Sequence, residues 1–83
     1  MITKGKKYDG TIGTSKLSYG SSGKQVKLWQ SFLNWAVHAG LKVDGKFGIA
    51  TKRYTIVFQR KAGIDDDGIV GTNTYAAAKR YRR

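Results

Sequence analysis

One twelve-residue phrase occurs twice in this chain. Gly40-Leu41-Lys42-Val43-Asp44-Gly45-Lys46-Phe47-Gly48-Ile49-Ala50-Thr51 is answered 23 positions later by Gly63-Ile64-Asp65-Asp66-Asp67-Gly68-Ile69-Val70-Gly71-Thr72-Asn73-Thr74. Both copies read Gly, aliphatic, then Asp-Gly-x-(Phe or Val)-Gly-x-x-Thr. The first glycine suits the left-handed residue that ends a helix, and the aliphatic residue after it can pack back on that helix. Asp-Gly makes a turn, because aspartate bonds its own backbone and glycine accepts positive φ at little cost. Phe47 and Val70 then anchor each loop in the core, and Gly48 with Thr51, like Gly71 with Thr74, opens the next helix. Two copies of a helix-to-helix turn require helices before, between and after them, which makes the chain all-α.

The hydrophobic spacing fills in those helices. Ser22-Gly23-Lys24-Gln25 reads as a capping box in which Ser22 and Gln25 satisfy each other's amides. The helix it opens should run to about Ala39 and stop at Gly40. Val26, Trp29, Leu33, Ala36 and Val37 fall on one stripe at spacings of three and four, with Leu28, Phe32 and Trp35 widening it and Lys27, Ser31, Asn34 and His38 on the wet face. A second helix, from just after Gly48 to before Gly63, turns Thr51, Tyr54, Thr55, Phe58 and Ala62 inward and Lys52, Gln59 and Arg60 outward. A third, from about Thr72 to Tyr81, buries Thr74, Ala77, Ala78 and Tyr81, and its basic end suits the helix dipole. No strand is needed, although short extended pairings between loops are compatible with the pattern.

At 83 residues the chain supports one small domain, which buries only about 60% of its unfolded surface. Without cysteine it has no disulfide or thiolate metal site to staple it, so its ten aromatic residues must supply much of the core. Residues 1–15, rich in Gly, Lys and Thr, read as a flexible arm or linker remnant, leaving 16–83 as the domain. No 18-residue apolar run and no apolar leader occur, so neither a membrane span nor a signal peptide is expected. Sixteen Lys and Arg against five aspartates give a net charge of +11, which draws the chain toward polyanions at low salt.

The spacing across three blocks resembles the peptidoglycan-binding domain 1 family, small three-helix modules attached to bacterial and phage cell-wall hydrolases. Leu17, Gly20, Gly23, Val26, Gln30 and Leu33 match its first block, with Trp29 in place of leucine. Val43, Asp44, Gly45, Phe47, Gly48 and Thr51 match the second. Phe58, Gln59, Gly63, Asp67, Gly68, Val70, Gly71 and Thr74 match the third. The chain departs from the pattern at Ile49 and Thr72, where the family often has proline. It departs again at Tyr54-Thr55 in place of Ala-Val and at Ala78 in place of leucine, changes expected to reshape a pocket between the second and third helices.

The resemblance implies a three-helix bundle that holds peptidoglycan noncovalently and targets a lytic enzyme, in cis or in trans. Other implied partners are anionic wall polymers, and the expected setting is a monomer outside the cell or on its wall, as in phage endolysins and secreted hydrolases. No cofactor or metal is called for, because one histidine and scattered aspartates fall short of a ligand set and no Glu is present to close a calcium loop. For the same reasons no catalytic residue is assigned. The rival reading is a small basic helix-turn-helix-like DNA-binding domain, for which Lys52, Arg53, Gln59 and Arg60 are the suggestive residues. Candidate ligand contacts are Trp35 and Tyr54 as an apolar platform, Asp44, Lys46 and Asn73 as polar groups, and Tyr75.

Overall fold

A computed structural model describes residues 12–81, and the expected arm up to residue 11 lies outside them. Three helices, α1 (Lys24–Val37), α2 (Ile49–Ala62) and α3 (Thr72–Arg80), carry the regular structure. Among the described residues the only extended pairings are two isolated antiparallel bridges, Leu17 with Val70 and Ser22 with Lys46.

Those bridges show how the repeat is used. The lead-in segment 17–23 lies beside both copies of the turn and is bonded to each. Leu17 exchanges two backbone bonds with Val70 at 3.0 and 2.8 Å, while Gly20 donates to Phe47 O, Phe47 to Ser21 O, and Gly23 to Gly45 O. One short strip of chain therefore laces the two turns side by side.

The same lacing accounts for a correction at the start of α1. Gly23 precedes the helix with φ 114° and no side-chain cap, so the capping box does not form. Ser22 is drawn into the bridge to Lys46, and Gln25 turns away: its Oε1 accepts the backbone N–H groups of Thr14 and Ser15. Ahead of this segment Ile12 packs against the core and Gly13 is buried.

α1 also ends sooner than expected, at Val37, with His38 rather than Gly40 in the left-handed conformation that closes it. Asn34, assigned to the wet face, is half-buried there; it donates to Leu41 O and accepts from Leu41 N–H, fixing the exit from the helix.

The core is aromatic. Trp29, Phe32 and Phe58 are each at most 1% exposed. Phe58 meets Phe32 edge-on at 5.0 Å and 88°, and meets Trp29 at 5.9 Å and 80°, while Trp29 stacks on Phe32 at 5.0 Å. Such pairs contribute about 0.5–1.5 kcal/mol each beyond the area they bury. Thr55 and Ala78 are buried in this core. The Thr55 hydroxyl accepts the Trp29 indole N–H at 2.9 Å and donates to Thr51 O at 2.8 Å.

Candidate functional site

Each copy of the turn is held from beneath by a buried glutamine. Gln30 Oε1 accepts Gly45 N–H at 3.0 Å, and its Nε2 donates to Asp44 Oδ1, Lys46 O and Thr51 Oγ1 at 3.0–3.1 Å. Gln59 repeats the set one helix later, accepting from Gly68 N–H and donating to Asp67 Oδ1, Ile69 O and Thr74 Oγ1. The two are 1% and 0% exposed. Gln59 therefore points into the protein, not outward as its helical position suggested, because only an amide offers both the acceptor and the donors that this loop lacks.

Positive φ at Gly45 (77°) and Gly68 (76°) aims each N–H down at its glutamine. A Cβ at Gly45 would meet Gly23 O at 3.1 Å, and one at Gly68 would meet Lys52 Cγ at 3.0 Å. The positive φ strains any side chain at either position, and at Gly45 a Cβ would also press on backbone.

Asp44 Oδ1 also accepts Lys46 N–H at 2.9 Å, and Asp67 Oδ1 accepts Ile69 N–H at 3.0 Å. The Lys46 amide, followed by Gln30, holds the Asp44 carboxyl below its ordinary value of 3.8. Arg60, 2.8 Å away, does the same for Asp66. That pair is largely solvated, so its own contribution is small.

Both acids bind protons more weakly folded than unfolded. The stability they add is present above about pH 4 and is lost as pH falls through their lower folded values. Burial raises the Tyr75 hydroxyl above 10.0, so its contribution is lost in the opposite direction, as pH rises past the unfolded value. Thermal unfolding should accordingly be flat between about pH 5 and 9 and fall on both sides. Asp44→Asn should shrink the acid limb and leave the alkaline limb unchanged.

Above the second turn the surface is concave. A groove of about 280 Å³ is bounded by Lys16, just ahead of the lead-in segment, Asp65, Asp67 and Ile69 from the turn, and Thr72 and Asn73 from the first turn of α3. Lys16, Asp65 and Asn73 are exposed and make no side-chain hydrogen bond or ion pair with the rest of the described residues.

The sequence-based candidates do not converge. Only Asn73 lines the groove. Asp44 and Lys46 are on the first turn, where Asp44 is tied to Gln30. Trp35 is half-buried, edge-on to Tyr81 at 6.0 Å, and Tyr54 is half-buried against the core. Tyr75 is 7% exposed, edge-on to Trp29, with its hydroxyl donating to Ser15 O. Lys16 and Asp65 were missed; the one signal available was that Asp65 replaces Lys42 between otherwise matching copies.

The chain is similar to several solved structures. It is 31% identical to the SleB N-terminal domain, covering 84% of this chain and 96% of that one with a TM-score of 0.77. It is 33% identical to the Burkholderia AP3 phage endolysin over 82% of this chain and 26% of that one, TM-score 0.70. A third match is a fused Zn-dependent amidase, peptidase and peptidoglycan-binding protein from Clostridium acetobutylicum ATCC 824, 32% identical over 86% of this chain and 32% of that one, TM-score 0.76. The chain thus spans almost all of the first and a quarter to a third of the other two. The model of the family described as "Putative peptidoglycan binding domain" matches residues 22–78, which takes in α1, α2, most of α3 and both glutamine-held turns, and the chain belongs to that family.

Proposed function

We propose that this domain binds bacterial peptidoglycan noncovalently through the groove above its second turn, and that it serves to hold a cell-wall lytic enzyme on its polymer. The observation that carries this reading is the groove itself: a rigid, glutamine-held loop presents uncommitted Lys16, Asp65 and Asn73 around one hollow. Family membership supplies the polymer, and the hydrolase and endolysin relatives supply the setting, outside the cell or on its wall.

The domain contributes adhesion, and bond cleavage belongs to its partner. Tethering turns repeated encounter into a local search at high effective concentration. The net charge of +11 adds attraction to anionic wall polymers, a contribution screened by salt within about 10 Å at 0.1 M.

Incubated with insoluble murein sacculi at physiological salt, the purified monomeric chain should sediment with them, and raising salt should weaken retention without abolishing it. Full recovery in the supernatant, with strong salt-dependent retention on duplex DNA, would instead support the basic DNA-binding reading.

A further inference from the structure

The internal repeat supplies its own comparison. Everything that builds the turn coincides between the copies: Gln30 with Gln59, Asp44 with Asp67, Gly45 with Gly68, Gly48 with Gly71, and Thr51 with Thr74. What differs is the groove. Where the second copy has Asp65, Ile69, Thr72 and Asn73, the first has Lys42, Lys46, Ile49 and Ala50. Because the first copy folds the same turn with a cation at the position of Asp65 and a methyl at that of Asn73, folding does not require those two groups. They are free to serve a ligand.

The groove's chemistry narrows that ligand. No aromatic ring lines it, so the apolar face of a sugar has nothing to stack on. A neutral sugar chain also has no charged partner for the lysine and two aspartates that line the same hollow. A peptide bearing free carboxylates and a free amine has both.

Resting on the peptidoglycan reading above, we infer that the groove takes the stem peptide rather than the glycan: Lys16 receives a peptide carboxylate, Asp65 and Asp67 receive the side-chain ammonium of the peptide's diamino acid, and Asn73 bonds a peptide amide. The first turn is then purely architectural. Asp67 Oδ1 is already committed to Gln59 and Ile69, which holds its second oxygen in place for the ligand.

Calorimetry on the full chain tests this with three probes: the free tripeptide L-alanyl-γ-D-glutamyl-diaminopimelate, the same peptide acetylated on its side-chain amine, and a peptide-free glycan tetrasaccharide. The tripeptide should bind, and acetylation should weaken it about tenfold or more by deleting a charge-assisted contact. Asp65→Asn should weaken the unmodified peptide similarly and remove most of the difference between the two peptides. Lys16→Ala should weaken both alike. Asp65 bonds nothing in the body of the domain, so Asp65→Asn should unfold at the wild-type temperature. Equal affinity for the two peptides, or binding of the tetrasaccharide alone, overturns the inference. If sacculi retain the chain while the tripeptide is silent, only the stem-peptide assignment falls. If sacculi do not retain it, the peptidoglycan reading falls as well.

Discussion

Replacing Gln30 or Gln59 by leucine should each cost about 3 kcal/mol or more, seen as a large drop in the urea midpoint with little change in slope. Leucine nearly matches glutamine in volume, so the loss does not come from a cavity. It comes from stranding, beneath a buried turn, a glycine N–H that bonds nothing else, and from taking a donor away from the aspartate, the threonine and a carbonyl oxygen that keeps only Gly48 N–H in the first turn or the Thr74 hydroxyl in the second. Each such group costs about 1–3 kcal/mol when left without a bond. A domain of this size has about 5–10 kcal/mol in total, so either single change should leave it marginal and the double change unfolded. Glutamate at either position is the sharper variant, because it keeps the acceptor and the shape, discards the donors, and sets a carboxylate against Asp44 or Asp67. It should be at least as damaging as leucine at neutral pH. Wild-type midpoints for these variants would mean that the amides decorate the turns and do not hold them.

The second large effect concerns a pair of residues in the core. Trp29 is fully buried, and its indole N–H has the Thr55 hydroxyl as its acceptor. Thr55→Val preserves shape and strands that N–H, so it should cost about 1–3 kcal/mol. Trp29→Phe removes the donor along with part of the ring. With phenylalanine at 29, Thr55→Val should become markedly cheaper, leaving a coupling of about 1 kcal/mol or more in a double-mutant cycle by urea unfolding. Additive costs would show that the hydroxyl is satisfied by the Thr51 carbonyl alone. Trp29 and Thr55 thus form a matched pair: the ring carries a polar atom into the core, and threonine supplies its partner.

The repeat made the architecture legible before any coordinates. A turn that must start with a helix-ending glycine, bend at Asp-Gly and open a new helix leaves little choice but three helices, and Phe47 and Val70 are buried where that mechanism places them. The glutamines were hidden because the repeat loses register upstream of its glycine. Gln30 precedes Gly40 by ten residues and Gln59 precedes Gly63 by four, so a fixed offset aligns the loops and misaligns the side chains beneath them. Pattern reading then assigned Gln59 to solvent, since polarity alone does not distinguish an exposed amide from one buried under a turn. The Trp29-Gln30 and Phe58-Gln59 dipeptides, each with its aromatic ring in the core, carried the missing signal.

The candidate site was less legible for a different reason. Lys16 is 49 positions from Asp65 in sequence and is brought to the groove by long-range contacts of its neighbours, the Leu17 to Val70 bridge and the Tyr75 bond to Ser15 O. Aromatic residues were expected to form the platform, but the core took them: without disulfides, a chain this small commits its rings to packing, and Tyr75 and Trp35 lie against Trp29, Phe32 and Tyr81.

Two turns share one framework, and on the proposed reading only the second meets the wall. A ¹⁵N chemical-shift titration of the chain with a soluble muropeptide, carrying both sugar and stem peptide, tests it most directly. Amides of residues 64–74 and Lys16 should move progressively and saturate, while those of 41–51 should stay near their free positions. Equal movement of both turns, or shifts confined to the first, would contradict it.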